Sequence, residues 1–78
     1  RKTGTPKMNL PKILTLPAIE YLEKAVSFKP DFYLAYFNLG MIYYMKNNYR
    51  QAQGYFKKTL EINPQFTPAR VLLSEVEN

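Results

Sequence analysis

The chain has neither histidine nor cysteine among its 78 residues. Without histidine it lacks the commonest general base of enzymes. Without cysteine it has no thiolate nucleophile, no zinc-finger ligand set and no disulfide. We therefore predict no enzyme activity, no catalytic residues, no metal site and no cofactor. The sequence does not identify the compartment, although we favour an intracellular setting, in the cytoplasm or an organelle interior.

Other functional motifs are scarce too. Glu20 and Glu23 lie three positions apart, but acid–base catalysis by paired carboxylates also needs a pocket that shifts their pKa values, so we interpret both as solvent-exposed. The glycines Gly4, Gly40 and Gly54 are isolated, which excludes a glycine-rich phosphate-binding loop. No apolar run approaches the roughly 18 residues that a transmembrane helix requires.

Positive charge is concentrated in an N-terminal arm, which we define as residues 1–16. The arm contains four basic residues and no acidic residue, whereas residues 17–78 contain seven basic and six acidic residues and are nearly neutral. Pro6, Pro11 and Gly4 disfavour a regular helix across the arm. We predict an irregular basic arm in front of a separate helical domain.

An anionic partner fits this arm, whether RNA, an anionic membrane surface or an acidic protein. The candidate contacts are Arg1, Lys2, Lys7 and Lys12. Single-strand recognition also uses aromatic rings between basic groups, and the arm contains none. We therefore favour a solvated or partner-tethered tail over nucleic-acid binding. A trimmed organelle-targeting sequence is a further alternative, because transit peptides are basic and poor in acidic residues.

The rest of the chain repeats itself at an offset of about 34 residues, a period typical of helical-hairpin repeats. The matching pairs are Ala18 with Ala52, Leu22 with Phe56, Lys24 with Lys58, Val26 with Leu60, Pro30 with Pro64, Phe32 with Phe66, Ala35 with Ala69 and Leu39 with Leu73. The offset predicts one complete unit, residues 33–66, with partial units on both sides.

Apolar spacing predicts about four helices in an all-α fold of antiparallel helix-turn-helix units. Pro17 fits the first turn of the first helix, and Pro30 cannot continue that helix. Asp31 is the expected N-terminal cap of the second helix, and Asn47 with Asn48 forms the turn after it. The predicted helices are Pro17 to Lys29, Asp31 or Phe32 to Met45, Tyr49 to Ile62, and one that begins at Thr67 and Pro68.

Seven residues within residues 33–66 fall at a spacing that resembles the tetratricopeptide repeat: Tyr36, Leu39, Gly40, Tyr43, Ala52, Phe56 and Pro64. Tyr36 stands where that family most often has tryptophan, and Thr59 replaces a small alanine. In the next unit Arg70 replaces the aromatic residue, which indicates a terminating unit. The resemblance implies an α-solenoid fragment with a half repeat at 17–32, a full repeat at 33–66 and a C-terminal capping helix at 67–78.

The resemblance also implies which residues pack between helices. Gly40 destabilises a helix by about 1 kcal/mol relative to alanine, so we expect Phe56 or Tyr55 to compensate by packing over it. The predicted repeat-packing core consists of Leu22, Val26, Tyr36, Leu39, Gly40, Tyr43, Ala52, Phe56, Leu60 and Leu73.

In tetratricopeptide proteins the first helix of each pair lines a concave groove. The resemblance therefore assigns a partner-binding surface to Leu34, Phe37, Asn38, Met41, Tyr44, Met45 and Val71. Two interpretations of this surface stay open. In the first, it is covered within the protein, by a neighbouring repeat or by the arm residues Leu10, Ile13, Leu14 and Leu16. In the second, it binds an apolar peptide or helix, to which methionine and aromatic side chains are well suited.

We predict a protein-interaction module, an adaptor or assembly subunit whose groove is centred on Phe37, Met41 and Tyr44. A clamp for a partner's C-terminal carboxylate is not favoured, because the sites near Asn38 include Pro68 and Val71 rather than basic residues. The alternative is a structural subunit that forms a homo-oligomer or docks in a larger complex, since repeat arrays normally need about three units. RNA contact through the arm is a third, less favoured hypothesis.

Overall fold

The computed structural model describes the backbone of residues 12–77 and the side chains of residues 17–77. Its helices are α1 (Lys12–Phe28), α2 (Tyr33–Met45), α3 (Tyr49–Ile62) and α4 (Thr67–Glu77). Each helix packs against the next one along the chain, and α2 and α3 form the most extensive pair. The short connections between them favour antiparallel neighbours. The described part of the chain is thus all-α, as predicted.

The predicted start of the first helix is wrong. Helix α1 begins at Lys12, so it includes five residues that we assigned to the irregular arm, and Pro17 lies inside it. The first four N–H groups of a helix have no partner within the helix. Pro17 follows them closely, and its missing N–H removes a single bond, to the carbonyl of Ile13, near the helix end. A proline at this depth is tolerated better than one in the middle of a helix.

The cap that we predicted for the second helix is also wrong. The residue at the N-cap of α2 is Phe32, and no side chain caps this end. The carboxylate of Asp31 instead pairs with the ammonium group of Lys29 at 3.2 Å. Because Asp31 lies one position before the N-cap, the pair with Lys29 replaces the expected capping bond.

The turn between α2 and α3 forms where the asparagine pair predicts it. Asn47 adopts a φ of 65°, a left-handed conformation that asparagine tolerates better than most residues. The side chain of Asn48 then caps α3 by accepting a hydrogen bond from the Gln51 N–H at 3.4 Å. The predicted span of α3, Tyr49 to Ile62, agrees with the structure.

The offset of the sequence reappears in the backbone hydrogen bonds of two turns. In the turn after α1, the N–H of Phe32 donates to the carbonyl of Lys29, and the N–H of Ala35 donates to that of Phe32. In the turn after α3, the N–H of Phe66 donates to the carbonyl of Asn63, and Ala69 donates to Phe66. The two turns therefore share one pattern of backbone hydrogen bonds at the start of the following helix. Ala35 and Ala69 are both buried.

The centre of the core lies between α2 and α3. Phe56 and Leu39 are fully buried there, and a β-carbon built on Gly40 would lie 2.5 Å from Cε1 of Phe56. This is the close approach predicted at Gly40, with Phe56 as the aromatic ring. Thr59, also fully buried, donates its hydroxyl to the Tyr55 carbonyl at 2.8 Å.

The structure distributes the predicted core residues over two environments. Fully enclosed are Leu39, Gly40, Ala52 and Phe56, whereas Leu22, Val26, Tyr36, Tyr43, Leu60 and Leu73 are half-buried. Four buried residues were missing from the prediction: Ile19, Ala35, Thr59 and Ala69. Three of these are small, and their burial follows from close helix approach rather than from an apolar stripe.

Candidate protein-binding surface

The groove surface consists of the seven residues assigned to partner binding on α2 and α4. Leu34 is 41% exposed and Val71 is 53% exposed. Asn38 is also exposed. The remaining members are half-buried: Phe37, Met41, Tyr44 and Met45. The two aliphatic members are therefore exposed, whereas the aromatic and methionine members are partly covered.

An aromatic cluster fixes one end of the groove surface. The Phe66 ring meets the Tyr33 ring at 5.1 Å and the Phe37 ring at 5.0 Å, both edge to face. Phe37 also lies 5.8 Å from the ring of Phe56. Such edge-to-face pairs are favourable beyond the area they bury. Phe37 is thus held in place by the loop before α4 and by the core.

Phe66 was not among the predicted site residues. The sequence identified it as the repeat counterpart of Phe32. Its contact with Phe37 links the α3–α4 loop to α2, and no sequence offset reports a contact of that kind. The sequence signal that could have identified Phe66 was an aromatic residue directly before Thr67, the predicted start of a helix.

A hydrogen bond joins α2 to α4 at the other end of the groove surface. The Tyr44 hydroxyl donates to Oε1 of Glu75 at 2.8 Å. This bond, together with partial burial and the negative charge of Glu75, raises the pKa of Tyr44 above its usual value. The Tyr44 ring also packs 5.6 Å from the Tyr49 ring. Tyr44 is therefore held in one orientation at the groove edge.

Glu75 is a second residue that the sequence analysis missed. By the repeat offset Glu75 is the counterpart of Met41, a member of the groove surface. This correspondence was a usable signal for Glu75. Nearby, Glu77 pairs with Lys57 of α3 at 4.0 Å. Each of these carboxylates in the last turn of α4 therefore has a partner on a neighbouring helix.

The arm residues bear on whether the groove surface is covered internally. Arg1, Lys2, Lys7 and Leu10 lie outside the described residues. Lys12, Ile13, Leu14 and Leu16 belong to the backbone of α1. Coverage of the groove by these residues stays a prediction, as do the contacts of the basic residues with an anionic partner.

A separate apolar surface lies on the outer side of α1. Tyr21 is 73% exposed and Phe28 is 87% exposed, and their spacing of seven residues places them on the same side of the helix. By the repeat offset Tyr21 corresponds to Tyr55, whose ring stacks on Tyr43 at 5.7 Å. In the complete hairpin this position is covered by a preceding helix. On α1 it is open to solvent.

Comparison with known proteins agrees with the repeat geometry. A protein-family model for the tetratricopeptide repeat matches residues 33–66. Residues 33–66 are a tetratricopeptide repeat. The repeat spans α2 and α3 together with the turn that leads to α4. Tetratricopeptide repeats are elements of protein–protein interaction, and residues 33–66 form a module of that general kind.

Two relatives cover much of this chain. The chain is 39% identical over 61 residues to a Cyanophora paradoxa protein called "Uncharacterized protein ycf37". These residues cover 78% of this chain and 36% of that protein. The chain is 38% identical over 48 residues to the human "Tetratricopeptide repeat protein 6", covering 62% of this chain and 9% of that protein. The chain thus spans about a third or less of the length of these relatives.

Among residues 12–77, no helix has both the length and the apolar character to cross a bilayer.

Proposed function

We propose that the chain is an adaptor or assembly module that binds an apolar peptide or helix on the groove surface, and that it has no catalytic role. The observation that carries this proposal is the exposure of two aliphatic side chains, Leu34 on α2 and Val71 on α4, together with the half-buried side chain of Met41 on α2. Apolar side chains left in water forgo about 1.5–3 kcal/mol each when fully exposed. A partner that covers them recovers part of that free energy.

The half-buried methionine and phenylalanine side chains of the groove surface suit a partner with apolar anchors. Met41 and Met45 are flexible and polarisable, so they adapt to irregular shapes. Phe37 is held by Phe66 and Phe56 at 5.0 and 5.8 Å, and a fixed ring loses little side-chain freedom when a ligand packs on it. Fixed aromatic and adaptable methionine side chains together suit a short apolar segment.

The polar groups of the groove surface would orient the partner. Asn38 is exposed and its amide can both donate and accept hydrogen bonds. Tyr44 is bonded to Glu75 at 2.8 Å, so the far end of the surface carries negative charge. None of the seven groove residues is basic. These features favour an apolar segment with a nearby donor or positive charge over a C-terminal carboxylate.

A display library of short peptides, selected against the chain, provides the test. We expect selected peptides to share two or more apolar anchors. Substituting Leu34→Glu and Val71→Glu together should weaken their binding by tenfold or more, about 1.4 kcal/mol. The matched control is Tyr21→Glu with Phe28→Glu on α1, which should leave the affinity unchanged. Equal binding by both double variants would reject the groove.

A second candidate function is favoured by the exposed rings of Tyr21 and Phe28. We propose as the alternative that α1 mediates self-association or docking in a larger complex. Repeat arrays are stabilised by interfaces between neighbouring units, and α1 presents the side that a preceding helix covers in the complete hairpin. Loss of self-association in the α1 double variant, with peptide binding retained, would assign the two activities to separate surfaces.

A further inference from the structure

An open depression of about 250 Å³ lies against the α2–α3 hairpin. Its lining residues are Tyr36, Gln51, Gly54, Tyr55 and Lys58. None of them belongs to the groove surface. The depression is therefore a separate feature of the repeat, built mainly from the outer side of α3 and one tyrosine of α2.

Gly54 is the residue of the depression that the fold does not explain. A glycine inside a helix destabilises it by about 1 kcal/mol relative to alanine. At Gly40 the ring of Phe56 compensates, because its Cε1 would lie 2.5 Å from an added β-carbon. A β-carbon on Gly54 would meet nothing within 4 Å. Gly40 lets a neighbouring helix approach closely, whereas the absence of a side chain at Gly54 leaves the depression open.

The lysines around the rings disfavour a cationic ligand. Tyrosine rings attract cations through their faces, but Lys58 already lies 5.8 Å from the Tyr36 ring and Lys46 lies 5.5 Å from the Tyr43 ring. No carboxylate is among the lining residues. Every polar lining side chain can donate a hydrogen bond, so the depression suits a ligand rich in acceptors.

We propose that the depression binds an extended, proline-containing segment of a partner protein that carries a carboxylate beside the proline. Polyproline II segments have no internal hydrogen bonds, so their carbonyl groups need donors from the partner. They dock on aromatic side chains, against which the pyrrolidine rings pack. Tyr36 and Tyr55, with ring centroids 6.4 Å apart, supply the aromatic wall, Gln51 supplies an amide donor, and Lys58 meets the carboxylate.

The neighbouring carboxylates are compatible with this ligand. Lys58 pairs with Glu61 at 3.5 Å, and both side chains are well exposed. Exposed pairs of this kind contribute only about 0–1 kcal/mol, so Lys58 can exchange Glu61 for a ligand carboxylate. The charge of Glu23 on α1 reaches Tyr55 and contributes, after burial and the influence of Tyr43, to raising the pKa of Tyr55. Tyr55 thus remains a protonated donor at neutral pH.

The test uses a short fluorescent peptide in which pairs of prolines alternate with aspartate, titrated with the whole chain. We expect saturable binding that Gly54→Leu weakens by about tenfold or more. Leucine is a better helix former than glycine, so this variant keeps its helicity while its side chain fills the depression. Lys58→Gln should weaken binding severalfold, whereas the adjacent Lys57→Gln, outside the depression, should not.

Four results would overturn the proposal. The first is no saturable binding up to about 1 mM protein, and the second is unchanged affinity in Gly54→Leu. The third is tighter binding of a peptide with lysine in place of aspartate, which would indicate a cation site. The fourth is a concentration-dependent dimer that Gly54→Leu abolishes, which would mean that a second copy fills the depression. The Leu34→Glu and Val71→Glu variant should bind this peptide normally, so failure here leaves the groove proposal standing.

Discussion

Gly40 and Phe56 are in direct contact across the α2–α3 interface, where a β-carbon on Gly40 would lie 2.5 Å from Cε1 and 2.7 Å from Cδ1 of Phe56. Phe56 is fully buried, so its ring cannot move aside into solvent. The spacing between the two helices of the repeat is therefore set by the absence of a side chain at Gly40.

The substitution Gly40→Ala should destabilise the protein. Overpacking of a well-filled core costs about 1–3 kcal/mol, which exceeds the gain of about 1 kcal/mol in helix propensity. Gly54→Ala, where the added carbon meets nothing within 4 Å, should instead stabilise the protein by about 0.5–1 kcal/mol. Urea denaturation of both variants checks the opposite signs. Equal shifts in the same direction would contradict the packing described at Gly40.

The bond between Tyr44 and Glu75 predicts a dependence of stability on alkaline pH. The structure raises the pKa of Tyr44 above its ordinary value of 10.0, so the folded state favours the protonated phenol. This contribution is fully present below pH 10 and is lost as the pH rises through the higher folded-state pKa. We expect Tyr44→Phe to lose about 0.5–1 kcal/mol at neutral pH and to lack this component of the alkaline decline.

Thermal unfolding between neutral pH and the pH at which tyrosine ionises measures that decline. Tyr21→Phe is the matched control, because Tyr21 is 73% exposed and should contribute little to stability. Tyr55 also has a raised pKa, chiefly through burial, so the Tyr44→Phe variant should keep part of the alkaline decline. Identical pH profiles for wild type and Tyr44→Phe would show that the Glu75 bond does not form in solution.

Two phenylalanines provide a comparison of packed and exposed rings. Phe66 packs on Tyr33 and Phe37 at 5.1 and 5.0 Å, and Phe66→Ala should lower the free energy of unfolding by about 2–3 kcal/mol. Phe28 is 87% exposed, and Phe28→Ala should change it by no more than about 0.5 kcal/mol. Chemical denaturation distinguishes the two. A small effect at Phe66 would mean that the α3–α4 loop does not hold Phe37.

The exposed rings of α1 predict weak self-association. We expect the apparent mass of the chain to rise with concentration, because covering Tyr21 and Phe28 removes apolar surface from water. The double variant Tyr21→Ser, Phe28→Ser should stay monomeric with unchanged helicity. Sedimentation equilibrium over a concentration series, with circular dichroism on the same samples, gives both readings. A wild-type chain that remains monomeric at every concentration would reject α1 as a self-association surface.

Much of the fold follows from sequence because the repeat constrains it locally. The asparagine pair ends α2 and caps α3, and the cost of a glycine inside a helix identifies Gly40 as a point of close helix contact. The start of α1 could not be predicted in this way, because a proline suits the first turn of a helix best but is also tolerated in the second turn, where it removes one backbone bond. Asp31 failed as a cap for a related reason, since the sequence does not show which of two adjacent residues begins the helix.

The candidate surfaces were predictable only in part. Apolar spacing places Leu34, Phe37 and Met41 on one side of α2, but the degree of exposure depends on the helix that packs beside them. Phe66 and Glu75 act through contacts between separate units, which spacing within one helix does not report. The open space beside Gly54 appears only when the surrounding atoms are placed.

The most direct test of the central claim, that the groove surface binds an apolar segment, is NMR mapping of a selected peptide on the isotope-labelled chain. The account predicts that amide shifts on binding concentrate at Leu34, Asn38 and Val71, with little change at Tyr21 or Gly54. Shifts confined to α1, or to the α3 residues around Gly54, would contradict it and would transfer partner binding to one of the other two surfaces.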